Sequence, residues 1–323
     1  MKRAARLVLT HPILVRAALS LMPGVAPILM FHRFHDPEAG NDGGHDPQIL
    51  RANLAWLRSR KFSILSIAEL VDRLEEGAPV KRTIAFTVDD GYADFGRVAA
   101  PVFAEFDCPV TLYLTTGFLD GQLWLWWDKV NLALTALRRE SEVGPMVEAL
   151  KLVPEAEKLK RIDALVKESG LDLPHTPPPR FAPIAWDDVR RLSRTGVTFG
   201  PHSVTHPTLS QTGPEQLQFE ISESWRRVRA EAGAAAVPIF CYPNGDASDF
   251  QTREENAVAA NGMRAALSAR PGYPSRRDFA AGYPSARFRL PRFGYTAERS
   301  LFIQVASGIE WAKETVRAAI GKP

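Results

Sequence analysis

Two short segments carry groups that can do chemistry together, Thr87-Val88-Asp89-Asp90-Gly91 and His202-Ser203-Val204-Thr205-His206. The first offers adjacent carboxylates and the second a pair of imidazoles. Two neutral imidazoles and one carboxylate make a three-ligand set for a hydrolytic divalent metal, with a position left open for water. Taken singly, each segment also has a plain structural reading. Asp-Gly is most often a turn, and a His pair at this spacing commonly serves packing. The metal reading gains its force from the two segments occurring in one chain.

The elements that must position these groups are legible around them. Thr83-Ile84-Ala85-Phe86 is a β-branched and apolar run that reads as a buried parallel strand, so both Asp residues arrive at its carboxyl end, where chemistry sits in α/β folds. Successive residues leaving a strand point in different directions, so one Asp can bind metal while the other handles protons. Gly91 lets the chain turn sharply without putting a Cβ into the site. Val197 to Gly200 is another strand-like run ahead of the histidines, and Pro207 disfavours helical geometry at His206. A tight turn or one helical turn would still aim both rings at one ion. Earlier in the chain, Pro27 to Phe34 is an apolar strand that contains His32, an imidazole able to move protons near neutral pH. The alternative for His32 is a strand-end ring bonded to a loop carbonyl, and His35 competes with it for the chemical role.

These segments, with Phe240-Cys241-Tyr242-Pro243-Asn244-Gly245, resemble the polysaccharide deacetylases of the NodB-homology type, also called carbohydrate esterase family four. The resemblance implies that Asp89 is a general base and that Asp90, His202 and His206 hold a divalent metal, most often zinc. It implies an N-acetylated glycan substrate, held beside Tyr242 and Pro243, with the backbone amide of Asn244 facing the developing oxyanion. No Leu-x-His segment occurs near the carboxyl terminus. The chain is therefore similar to the circularly permuted branch, which includes deacetylases of poly-N-acetylglucosamine and other exopolysaccharides, and in which the acid His stands on the first strand. By that resemblance His32 is the general acid.

One position departs from the commoner family pattern. Where an Arg two residues before the proline tethers the base, this chain has Cys241. Arg292, in Arg289-Leu290-Pro291-Arg292-Phe293, either replaces it through a fork-shaped contact to Asp89 or is a surface arginine. The Cys241 departure also keeps a second function in view, a glycan-binding relative that has lost turnover. Metal-dependent phosphodiester hydrolysis fits less well, because two-metal sites need more carboxylate and imidazole ligands.

Around this site the sequence alternates helix and strand. Helical stretches at Gln48–Arg60, Ile67–Leu74, Tyr92–Phe106, Trp186–Arg194, Pro214–Glu231 and Thr252–Asn261 alternate with strand-like runs at Phe62–Leu65, Thr83–Val88, Val110–Thr115, Val197–Gly200, Pro238–Cys241 and Arg264–Ser268. Such alternation predicts an α/β fold with a parallel sheet, closed or open. The resemblance sharpens this to a distorted (β/α) barrel of about seven parallel strands. Residues 25–323 form the barrel domain in this reading, with a helical insertion at 118–184 that breaks the rhythm and returns through His175-Thr176-Pro177-Pro178-Pro179. Trp124, Trp126 and Trp127 open the insertion and either stack on sugar faces or anchor it to the barrel. Anchoring is the commoner use, and Trp124 is carried forward as the candidate substrate contact.

Composition sets the outer bounds. At 323 residues the chain suits one α/β barrel of ~250 residues plus added structure, and an apolar fraction of 45% allows a full core. A net charge of +3 and the lack of a basic, aromatic-interleaved stripe exclude a nucleic-acid partner. Cys108 and Cys241 form neither a disulfide framework nor a metal-spacing motif, which fits a reducing, cytoplasmic compartment. Residues 1–24 read as a helical segment: Met1 to Arg6 is basic and Leu7 to Met22 largely apolar, interrupted by His11, Pro12 and Arg16. It lacks the cleavage site of a signal peptide and the ~20 clean apolar residues of a membrane span. An amphipathic helix that docks on the barrel or makes a peripheral membrane contact is the expectation. Oligomeric state is not legible.

Overall fold

The computed structural model describes residues 10–21, 24–121, 123–280 and 286–319. Among the described residues there are eight strands, β1 Ile28–Phe31, β2 Ser63–Leu65, β3 Thr83–Val88, β4 Val110–Leu114, β5 Val197–Pro201, β6 Ile239–Cys241, β7 Ala265–Leu267 and β8 Phe293–Gly294; the first seven follow the expected apolar runs, and β8 was not expected. Every pairing between them is parallel. One sheet runs β5-β4-β3-β1-β8 with β2 wedged against the start of β3, and β6 and β7 form a separate pair.

Two single bridges join these sheets into a ring. Phe199 in β5 pairs with Ala236 ahead of β6, and Leu267 in β7 pairs with Leu290 ahead of β8. The circuit β1-β3-β4-β5-β6-β7-β8 therefore closes as a seven-membered parallel barrel with two weak seams, which is the distortion expected. Parallel strands buried on both faces need continuous apolar runs, and all six residues of β3 are buried. Ile28, Leu65, Ala85, Tyr113, Ile239, Cys241, Ala265 and Leu267 belong to one buried cluster contributed by six of the strands.

The return helices are set by local signals. Helix α1 spans Pro12–Leu21, α2 Pro47–Ser59 and α3 Ile67–Glu76. Ser66 and Glu69 make a reciprocal capping box at the start of α3, and Gly77 ends it in the left-handed region. In α3 the residues Ile67, Leu70, Val71 and Leu74 are buried, a stripe of helical period. The helix expected over Tyr92–Phe106 is shorter: a π turn at Phe95–Ala99 precedes α4, Ala100–Glu105. Pro101 lacks the N–H that would close an ordinary turn onto Arg97.

Between β4 and β5 lie α5 Thr116–Leu119, α6 Trp126–Ala136, α7 Val143–Lys151, α8 Glu155–Ser169 and α9 Trp186–Leu192. Helices α6, α7 and α8 pack around their own small core of Trp126, Val130, Leu134, Leu150, Ile162 and Leu165. After β5 come α10 Pro214–Ala232 and α11 Thr252–Ala260, as expected. Two helices that the sequence reading did not assign, α12 Arg299–Ala306 and α13 Ile309–Ala319, close the chain, and Phe302, Val305 and Ile309 join the main core.

Of the N-terminal segment, residues 1–9 and 22–23 lie outside the described residues. Helix α1 places Val15 and Leu19 in the main core while Ile13 stays exposed, so it docks on the barrel with part of its apolar surface outward. Among the described residues no helix is long and apolar enough to cross a membrane.

Candidate metal centre and active site

Strands β3 and β5 end side by side around β4, which brings the Asp pair and the His pair to the same rim of the barrel. Asp90, His202 and His206 gather there with their ligand atoms all within 4.8 Å of one another. Asp90 Oδ1 lies 3.5 Å from His202 Nε2 and 3.4 Å from His206 Nε2. The two Nε2 atoms are 3.2 Å apart. Ligands at ~2.0–2.1 Å around a tetrahedral ion stand about 3.3 Å from one another, so this triangle has the edge lengths a zinc-sized ion requires. His202 Nδ1 lies 2.8 Å from the Cys241 carbonyl, an acceptor only, so Nδ1 carries a proton and Nε2 is the nitrogen that faces the triangle; burial works against charge on this ring, yet Cys241 and Asp90 hold its pKa well above the ordinary value, so an ion bound there displaces a proton from Nε2.

The electrostatics of the triangle favour a cation. Burial works against charge on Asp90, yet its bonds to His202 and His206 hold the carboxyl well below the usual range. Burial pushes His206 down to about 4, which keeps it neutral near pH 7, as a metal ligand must be. A second group, Asp89, His202 and Cys241, is equally close. A guanidinium already fills the cationic place in it.

That guanidinium is Arg292, which is 1% exposed. Its Nη1 donates to Asp89 Oδ1 at 2.8 Å and its Nη2 to Asp89 Oδ2 at 2.8 Å, the fork geometry of a bidentate pair. Further bonds from Nε to the Ser268 carbonyl and from Nη1 to Thr87 Oγ1 hold the fork. Arg292 Nη2 also lies 3.1 Å from Cys241 Sγ. Of the two readings of Arg292, the surface one is excluded. Burial would raise the Asp89 carboxyl, but the facing Arg292 charge wins and holds it below its ordinary value.

The loops that aim these groups are strained. Asp90, Ser203, His206 and Asn244 all adopt positive φ, at 76°, 66°, 58° and 62°. Outside glycine such a backbone costs on the order of 1 kcal/mol per residue, and it clusters where surrounding structure over-determines it. Gly91 has φ 90°, and a Cβ there would approach Leu119 Cδ1 to 2.8 Å, so the sharp turn after the Asp pair needs glycine. The loop between the histidines is held by Glu220 of α10, which accepts from the amides of Val204 at 2.7 Å and Thr205 at 2.9 Å.

A cavity of about 360 Å³ opens over the triangle. Of the residues singled out from sequence, His32, Asp89, Asp90, His202, His206, Tyr242 and Asn244 line it. His32 is exposed at the end of β1. Its competitor His35 lies outside this lining and sits 3.2 Å from the Asp42 carbonyl, the loop contact considered for a strand-end ring. Tyr242 stacks on Phe250 at 3.8 Å, and Asn244 reaches Thr208 at 3.2 Å.

Two expectations are corrected. Trp124 does not face this cavity: its indole donates to the Pro174 carbonyl at 3.0 Å and packs on Phe181, tying the insertion's start to its end. Trp126 and Trp127 line the cavity instead. Pro243 is buried and does not line it. The sequence reading also missed Arg33, Tyr92, Asp128, Val147 and Lys151 in the lining, and Glu220 behind it. Arg33 is adjacent to His32 and Tyr92 follows Gly91, a proximity that could have flagged both. Asp128, Lys151 and Glu220 carry no local signal.

A parallel barrel whose strand ends bring an Asp pair to a His pair defines a class of hydrolase-like sites. The sequence pattern described as polysaccharide deacetylase matches residues 76–266, more than half of the chain, and the chain belongs to that family. Its fold is similar to that of the Streptococcus pyogenes deacetylase PplD, solved in complex with acetate, at TM-score 0.59 and 18% identity over 86% of this chain and 95% of that one. IcaB from Ammonifex degensii is similar at TM-score 0.58 and 14% identity, covering 88% and 98% of the two chains. The BpsB deacetylase domain from Bordetella bronchiseptica gives TM-score 0.54 and 16% identity, covering 84% and 98%. At these identities the likeness speaks to the fold. A comparison with curated proteins finds no match.

Proposed function

We propose that the protein is a metal-dependent hydrolase that removes N-acetyl groups from N-acetylated amino sugars, in a polysaccharide or a lipid-linked precursor. The observation that carries the reading is the Asp90, His202 and His206 triangle, sized for one ion and open to the cavity that Asp89 and His32 also line. A divalent ion held there, zinc by its fit to an N/N/O donor set, supplies an acidified water and polarises the amide carbonyl.

The chain's own residues carry the remaining work. Asp89, kept ionised by Arg292, accepts the proton of the attacking water. Its basicity is lowered by that pairing, which is sufficient only because the water it deprotonates is already acidic. The backbone N–H of Asn244, on a left-handed turn at the cavity wall, donates to the oxyanion of the tetrahedral intermediate. His32 gives its proton to the departing sugar amine as the C–N bond breaks. Tyr242 and Trp127 form apolar surfaces against which the pyranose lies.

The alternative of a glycan-binding relative without turnover drew on Cys241 standing where an arginine tethers the base. Arg292, just ahead of β8, makes that tether instead, so the base is held as turnover requires. The deciding experiment measures bound metal and released acetate with N-acetylglucosamine oligomers. Stoichiometric metal with acetate release supports the reading. Tight glycan binding without acetate at any metal loading would move the protein to the binding class.

A further inference from the structure

We propose that Asp128 is a sugar-recognition residue whose free carboxylate oxygen accepts a hydroxyl of the pyranose presenting its acetamide to the metal centre, with Tyr92 holding that carboxylate in place. The inference rests on the deacetylase reading and deepens it by assigning a specificity contact to α6, an element without any motif.

Asp128 stands in the first turn of α6 and is 5% exposed, yet it lines the cavity. Its Oδ2 accepts from the Tyr92 hydroxyl at 2.7 Å. That hydroxyl in turn accepts from Trp127 Nε1 at 3.0 Å. The Arg33 guanidinium lies 3.8 Å over the Tyr92 ring and donates to Asp94 at 2.6 Å, so the chain that fixes Oδ2 is itself fixed.

Oδ1 is different. Among the described residues no side chain bonds it and no salt bridge reaches this carboxyl, the Arg33 and Arg180 charges acting on it only from farther off, and the atom is not among those sealed from solvent without a partner. A buried carboxyl with one oxygen bonded and the other turned to a cavity is half satisfied, and burial of such a group is unfavourable until a donor arrives. Burial pushes its pKa to about 7, the signature of a carboxyl short of compensating partners. Asp128 also lies outside the ligand triangle, so a metal does not complete it.

The cavity indicates which donor does. A volume of about 360 Å³ sits at the small end of ligand pockets and suits one sugar unit with its acetamide. Trp127 beside Asp128 adds apolar ring surface to the lining next to a hydrogen-bond acceptor, the pairing that a pyranose with its C–H face and ring of hydroxyls satisfies. A hydroxyl donor to Oδ1 would orient the ring about the bond between sugar and acetamide.

The test compares N-acetylglucosamine oligomers with analogues lacking one ring hydroxyl at a time on the reacting sugar. In the parent protein one analogue should lose about 10- to 100-fold in kcat/KM, the range for a hydrogen bond to a charged group. That same analogue should lose nothing further in Asp128→Ala, and only part in Asp128→Asn, whose amide oxygen still accepts. Bound metal should be unchanged in both variants. If Asp128→Ala does not fold, Asp128→Asn and Tyr92→Phe carry the comparison, the latter raising KM more than it lowers kcat. Equal penalties in parent and variants for every analogue, or no penalty in the parent, would overturn the assignment while acetate release continued. Absence of acetate release from every N-acetylated sugar by the metal-loaded parent would instead undo the deacetylase reading beneath it.

Discussion

His32, Asp89, Asp90, His202 and Asn244 stand just beyond the ends of four barrel strands, whereas Trp126, Trp127, Asp128, Val147 and Lys151 reach the same cavity from two helices, α6 and α7. The strand-end groups are cross-tied through the barrel: Arg292 before β8 holds Asp89 after β3, and the carbonyl at the end of β6 orients His202 after β5. The helical wall leans on its own small core and meets the barrel rim through Tyr92 and His206, the latter packed edge-on against Trp127 at 4.5 Å. A rim built from parallel strands can hold groups to the tolerance that bond-breaking needs. A wall built on a separately packed set of helices can vary to suit the substrate without disturbing that geometry.

Substitutions test this division, and the largest effects are expected at the rim. His202→Ala should remove bound metal and lower kcat/KM by about a thousandfold or more, since the ion is asked for several kcal/mol of barrier reduction. Metal analysis beside acetate assays checks it, and retained stoichiometric metal would remove His202 from the ligand set. Arg292→Ala leaves Asp89 buried without its partner, so a stability loss of about 3–5 kcal/mol is expected by denaturant unfolding. Its acid limb of activity should also move to higher pH, because the charge that holds the Asp89 carboxyl low is gone. His32→Ala should lower kcat by about 10²- to 10⁴-fold with little change in KM. Equal loss in both parameters would make His32 a structural residue.

Effects on the helical wall should be smaller, and one should have the opposite sign. The Asp128 carboxyl is raised from 3.8 to about 7 by burial, so the folded protein keeps a proton that the unfolded chain releases. Stability therefore falls as pH rises through that window. In metal-free protein Asp128→Asn should melt a few degrees higher than the parent at pH 8, with the gain shrinking toward pH 4. An unchanged or lower melting point at pH 8 would mean that the carboxyl is stabilised by its surroundings. Trp124→Phe should change kcat/KM by less than about twofold and cost only the ~1 kcal/mol of its bond to the Pro174 carbonyl. A large catalytic loss would return Trp124 to the substrate contacts.

The α/β alternation, and the places of Asp89-Asp90 and His202 to His206 at the ends of apolar runs, can be read from the order of residues alone. Strands are local: a β-branched run followed by Asp-Gly reads the same before and after folding, and contiguous residues stay together at one strand end. The pairing of Arg292 with Asp89 across 203 positions of chain emerges on folding, since burial of a guanidinium depends on what surrounds it and not on its neighbours in sequence. Folding likewise turns Trp127 rather than Trp124 to the cavity and brings Asp128 and Glu220 to the site. Those choices follow from how α6 and α10 are rotated against the barrel, and a helix's rotation is set by the packing of its buried face against distant side chains.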